Sequence, residues 1–280
     1  MDKSLKNLRF LLRYRILFQT ALLVAAVLAA KIALHALDWE FIAFSPLHTS
    51  IVAGGIFILS IFLAGILPDY KEAERLPSEF TATIDNMFED AIAIKRNYPE
   101  FDSAGLREAL TSALEAFRED IIHNKRKAYE EIHEIRDALI EMEKAKVPPN
   151  FIVKLKQEQG TLIRVLLRLY YIQRIRFIPS AYYLVVSTAL IVIGILLLTE
   201  LEPFNASVVA LGLVAFIFIY LIKLIAVANT PFHPEGATQD DVSLFLVEEA
   251  LQRLAEDELE ERRHEDHDEE FYLRLKQRNT

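Results

Sequence analysis

The chain has 280 residues, 52% of them apolar and 25% charged, with a formal net charge of −9 and no cysteine. The apolar share exceeds the soluble range while the charged share exceeds what membrane spans carry, so the two must be segregated along the chain. The acidic balance excludes a general nucleic-acid binder, which needs a Lys- and Arg-rich surface, and the lack of cysteine excludes disulfides and thiolate metal sites.

Four segments are long and apolar enough to cross a hydrocarbon core, which takes about 20 helical residues: 16–37, 49–67, 179–199 and 206–226. The first is too long for a cleaved signal peptide, and its end at Leu34-His35-Ala36-Leu37-Asp38 leads directly to another span, so it is expected to stay. Lys3, Lys6, Arg9, Arg13 and Arg15 precede it, and 18 Lys and Arg lie between 68 and 177. The short connections 38–48 and 200–205 hold none, only the acids Asp38, Glu40, Glu200 and Glu202. Positive residues are retained inside, so both termini and the middle segment are expected in the cytoplasm.

The middle segment reads as helix throughout. Ser78 is expected to cap a helix carrying Phe80, Ile84, Phe88 and Ile92, which Asn97-Tyr98-Pro99 stops. Asp102 or Ser103 caps the next, with Leu106, Leu110, Leu114 and Phe117 on one face. A third is expected over about 120–146, ended by Val147-Pro148-Pro149-Asn150. The fourth carries Phe151, Leu155, Leu162, Leu166 and Leu169 and reaches the third span at Pro179. No strand pattern is found. Beyond the fourth span, Asn229 to Gly236 must turn at Pro231 and Pro234, burying Phe232, before a helix over about 241–253 and an acidic tail. The divisions expected are 1–67 (N-terminal segment and spans one and two), 68–177 (cytoplasmic helices), 178–228 (spans three and four), 229–255 (turn and docking helix) and 256–280 (tail).

Three short elements stand in a telling order against the spans: Glu74-Arg75-Leu76-Pro77 after the second, Ile178-Pro179 before Tyr182-Tyr183 and the third, and Asn229-Thr230-Pro231-Phe232 followed by Asp241-Val242-Ser243-Leu244 and Val247-Glu248-Glu249. With the span layout they resemble the bestrophin family of pentameric ion channels over residues from about 10 to 255. The family-motif residues are Glu74, Leu76, Pro77, Pro179, Pro231 and Phe232. The resemblance implies an all-α integral membrane protein with four spans per subunit and a helical cytoplasmic body, assembled as a homopentamer. It implies conduction of small monovalent ions, chloride and other anions foremost, with cation preference as an alternative. It also implies a pore neck on the second span at Val52, Ile56 and Ser60. Two departures stand out. Asp69-Tyr70 replaces an aromatic pair, and the acidic run after Pro231-Phe232 is thinned to Glu235, Asp240 and Asp241. Calcium takes six to eight oxygen ligands, so these three leave Ca²⁺ binding doubtful, and no cofactor or metal is expected.

Several residues keep two readings. Gly54, Gly55 and Ala64 allow close helix packing as readily as they fit a pore face. Lys31 and His35 share a face near the outer end of the first span; snorkelling of Lys31 to the headgroups is preferred over a pore role. Asp69 forms an inner pore-mouth ring or caps a helix. Asp38, Glu40, Glu200 and Glu202 form an outer rim that concentrates cations, or simply reflect the positive-inside bias. No phosphate loop, nucleophile elbow or zinc-protease motif is present, His123 and His133 lie on differing helix faces, and His264-Glu265-Asp266-His267 sits in a charge run, so no enzyme is expected. The lipid membrane, permeant ions and further copies of the chain are the expected partners, in a prokaryotic inner membrane. A membrane-anchored scaffold or sensor whose cytoplasmic helices bind a partner is the rival reading.

Overall fold

Unbroken runs of Leu, Ile, Val and Ala, with few Gly or Pro inside them, favour helix wherever the backbone must satisfy itself. The structure, a computed structural model, describes residues 14–174, 179–232 and 241–257. Helix α1 covers Arg15–Ala36, α2 Pro46–Asn97, α3 Ala104–His123, α4 Ala128–Lys144, α5 Pro149–Arg174, α6 Pro179–Leu198 and α7 Phe204–Ala228; a further helix, α8, covers 245–257. Among the described residues α1, α2, α6 and α7 are long and apolar enough to cross a membrane, and they cover the four expected segments to within one residue. The chain divides into two compact units, one of Met1–Ala73 with Tyr171–Val242 and one of Glu74–Tyr170 with Ser243–Thr280.

In the first unit α1 packs on α6 and α7, and α6 on α7. Leu59, Phe62 and Ile66 of α2 join Val185, Ala189, Leu211, Ala215 and Phe218 in one buried cluster. Gly55 makes this packing possible, since a Cβ there would stand 2.7 Å from Phe218 Cζ, whereas one at Gly54 would meet open space. The two glycines thus lie on different faces of α2, about 100° apart. A short parallel pair, β1 (Ile42–Ala43) and β2 (Thr199–Glu200), joins the α1–α2 and α6–α7 connections, with Ile42 opposite Thr199. Two residues of ladder need no alternating pattern, so nothing in the sequence marks them.

In the second unit Phe80, Ile84, Met87 and Ile94 of α2 are buried with Leu106, Leu110, Leu114 and Phe117 of α3, Ile132, Ile135 and Met142 of α4, Leu155, Leu162, Leu166 and Leu169 of α5, and Val247, Ala250 and Leu254 of α8. The rings of Phe80 and Phe117 stack at 3.9 Å. Each of these side chains larger than alanine contributes about 1.5–3 kcal/mol on burial.

The structure corrects three helix boundaries. No helix starts at Ser78: α2 continues through Pro68 and Pro77, and the Ser78 hydroxyl donates back to the Arg75 carbonyl at 2.8 Å instead of capping an amide. Apolar anchors on both sides, from Leu59 to Ile66 and from Phe80 to Ile94, override the lost proline hydrogen bonds. The helix expected over 120–146 is two helices. Asn124 takes a left-handed φ of 53° and closes α3, and the buried Asp120 carboxylate then accepts the Lys127 and Ala128 amides at 2.8 and 3.0 Å, starting α4. The last helix starts at 245, four residues after the expected 241. The expected Asp102 cap holds, its Oδ1 accepting the Ala104 amide at 2.9 Å, and Pro149 opens α5.

Candidate functional site

The end of the first unit where β1 and β2 pair is organised by one buried cation. Lys31, one helical turn before His35 on α1, is fully buried. Its Nζ lies 2.5 Å from Glu40 Oε1 and donates to the carbonyls of Thr199 at 2.6 Å, Leu197 at 3.2 Å and Leu196 at 3.4 Å. Those carbonyls end α6, where the helix dipole favours a positive charge. The structure therefore replaces the snorkelling Lys31 with a buried clamp, because α6 and the 37–45 connection supply closer oxygen ligands than the headgroups. His35 Nδ1 lies 2.7 Å from Glu40 Oε2, and its ring stacks on Phe204, the first residue of α7, at 3.9 Å. Burial pushes the Glu40 carboxyl up, but hydrogen bonds and charge from Lys31 and His35 outweigh it and hold the group below the usual carboxylate range.

Of the four acids expected at an outer rim, Glu40 is thus ion-paired within its own chain. Asp38, Glu200 and Glu202 are exposed. Glu200 and Glu202 line a cavity of about 610 Å³ with His35, Glu40, Leu201, Pro203 and Phe204.

Along α2, the face of Gly55, Leu59, Phe62 and Ile66 looks into the core of the first unit. Val52 and Ile56 are half-buried and pack against that cluster, and Ser60 is exposed, its hydroxyl donating to the Ile56 carbonyl at 2.8 Å. Their neighbours project further: Phe57 is 65% and Ile61 57% exposed. Asp69 is half-buried in the interior of α2, which removes the helix-cap reading for it.

The motif residues fall at structural junctions. Glu74 is exposed, whereas Leu76 and Pro77 are buried in α2. Pro179 opens α6. Pro231 is buried and its carbonyl accepts the Val242 amide at 3.1 Å, while Phe232 is half-buried, short of the full burial expected. Glu235 and Asp240 lie outside the described residues, as do His264 and His267. His123 is exposed and His133 half-buried. No cluster fit to hold a metal occurs among the described residues.

Two polar arrangements escaped the sequence reading. Tyr170 of α5 donates its hydroxyl to Asp120 Oδ2, and the Arg126 guanidinium lies 5.6 Å from its ring. Lys223 of α7 donates to Gln19 of α1 at 2.8 Å. Lys223 is the lone charge in an otherwise apolar 25-residue helix, which was a readable signal. Its partner lies 204 positions away and was not readable.

No protein-family model matches the chain, and no curated protein does. The fold itself has clear relatives. Two crystal structures of variants of a bacterial bestrophin homologue from Klebsiella pneumoniae superpose with TM-scores of 0.71 and 0.70 at 12% and 10% identity, covering 86% of this chain and 98% of theirs. A third structure, of a membrane protein, superposes at 0.70 with 11% identity and the same coverage. The chain thus has the fold of bacterial bestrophin homologues, as the short motifs implied, and is a helical protein built for the membrane.

Proposed function

We propose that this chain is a subunit of a bestrophin-like ion channel, a homopentamer with both termini in the cytoplasm, whose second spans together line the conduit for small monovalent ions. The observation that carries this reading is the division of α2. Its Gly55–Leu59–Phe62–Ile66 face is spent on an apolar core that leaves no polar path inside one subunit. Its other face, with Ser60, Phe57 and Ile61, is exposed among the described residues. A conduit must then form between copies, and the fold shared with bestrophin homologues agrees with that.

The neck is assigned to Val52, Ile56 and Ser60, with Asp69 at the inner mouth. Apolar neck side chains give an ion no substitute for its hydration shell, so the constriction is energetic as well as steric. The greater exposure of Phe57 and Ile61 favours a second register, one residue on, through Ala53, Phe57 and Ile61. Anion conduction follows from the resemblance. Cation preference is favoured by Asp38, Glu200 and Glu202, which are exposed at the outer end with Glu40 already neutralised.

Purified protein in liposomes tests the reading. A channel gives ion flux and the mass of a five-subunit complex, and reversal potentials in a salt gradient assign its selectivity. Absence of flux from a monomer supports the scaffold or sensor instead.

A further inference from the structure

We infer that the α1/α7 face at Lys223 binds the phosphate of an anionic phospholipid. One stripe of α7 runs Val209, Leu213, Phe216, Tyr220, Lys223, at steps of four and three residues that keep it on a single helix face. Val209 and Leu213 are 70% and 61% exposed, and Phe216 stacks on Tyr220 at 5.7 Å. This is a lipid-facing stripe that passes from aliphatic to aromatic to cationic, the sequence of groups met between acyl chains and headgroups. Lys223 lies five residues before the end of α7, so its stem crosses the interface while its ammonium reaches the headgroup level.

That ammonium is held by Gln19 at 2.8 Å, and an amide orients a charge without neutralising it. Arg15, one turn before Gln19 and on the same face of α1, is exposed. Among the described residues neither Lys223 nor Arg15 meets a carboxylate. Lys3, Lys6, Arg9 and Arg13 precede them in a stretch whose one acid is Asp2. Two cations on the packed α1 and α7, with no carboxylate partner among the described residues, are complementary to a phosphodiester headgroup. The occupant is therefore an anionic lipid such as phosphatidylglycerol, with its acyl chains along Leu213 and Phe216.

The test uses the full-length protein in bilayers of uniform composition in both leaflets, so its result depends on neither orientation nor ion flux. Association of spin-labelled phosphatidylglycerol is compared with that of spin-labelled phosphatidylcholine. The wild type is expected to prefer the anionic lipid, and Lys223→Gln and Arg15→Gln each to lower that preference about fivefold at low salt. Lys144→Gln, at an exposed position of α4, is expected to leave it unchanged. An unaltered preference in Lys223→Gln, or an equal loss in Lys144→Gln, overturns the assignment. Dissociation of the complex by Lys223→Gln with lipid preference intact also overturns it, since Lys223 would then face a second copy.

Discussion

Lys31 and Glu40 form an ion pair at 2.5 Å with both side chains almost entirely out of solvent. The pair joins α1 to the connection before α2, and the same ammonium closes the end of α6. Removing one member of a buried pair strands the other, at about 3–5 kcal/mol. Lys31→Ala is thus expected to destabilise the protein by that order, and the double variant Lys31→Met/Glu40→Gln by less, in thermal unfolding of the detergent-solubilised protein. The folded Glu40 carboxyl is held below its unfolded value, so its contribution is complete above the ordinary carboxylate range and is lost as pH falls through the folded value. The stability gap between wild type and Glu40→Gln should accordingly shrink on acidification.

Gly55 and Gly54 offer a contrast between adjacent positions. Gly55→Ala puts a methyl against the buried Phe218 ring and is expected to cost about 1–3 kcal/mol by overpacking. Gly54→Ala faces open space and is expected to stay within about 0.5 kcal/mol of wild type. Phe218→Leu should recover part of the Gly55→Ala loss, which a double-mutant cycle on melting temperature measures.

Asp120 links the α3–α4 turn to α5 through Tyr170. Burial, then the hydrogen bond and charge of Asp120, push the Tyr170 phenol well above its usual range. Its raised folded value means that its contribution persists below the unfolded value and is lost only as pH rises through the folded one. Tyrosinate absorbance of native wild type and Tyr170→Phe should coincide through the ordinary tyrosine range. Asp120→Asn should bring the Tyr170 titration down toward that range without reaching it, since burial, the larger cause, remains.

Much of this was legible in the sequence, and what was not has a common cause. Apolar length gave the four spans, and i, i+4 spacing gave the faces of Leu106, Leu110 and Phe117. Local chemistry misled at Pro77-Ser78, because burial on both sides of the proline decides whether a helix stops there. It also concealed the Asn124 turn within a run of charge. Lys31 was read from its own span, yet the groups that bury it come from positions 40 and 196–199. Such partners are assembled by tertiary contact, which periodicity does not report. The neck register suffers in the same way: the resemblance selects Val52, Ile56 and Ser60, whereas exposure is greatest one residue on.

Conductance separates those two registers. If Val52 and Ile56 line the neck, Ile56→Ala in every subunit widens the ring and raises unitary conductance in planar bilayers, and Phe57→Ala changes it little. A larger rise with Phe57→Ala moves the neck to Ala53, Phe57 and Ile61.

The account stands most directly on the accessibility of Ser60 from the conduit, because both registers leave that face of α2 in contact with the permeating ion. The chain has no cysteine, so Ser60→Cys can be tested in the native background with a charged, thiol-reactive methanethiosulfonate applied to reconstituted protein during current recording. The prediction is a measurable wild-type current and a rapid, irreversible change of current in Ser60→Cys, with no change in Leu190→Cys or Val209→Cys on the exposed faces of α6 and α7. Absence of wild-type current, or modification of Ser60→Cys that leaves the current unaltered, contradicts a conduit lined by the second span.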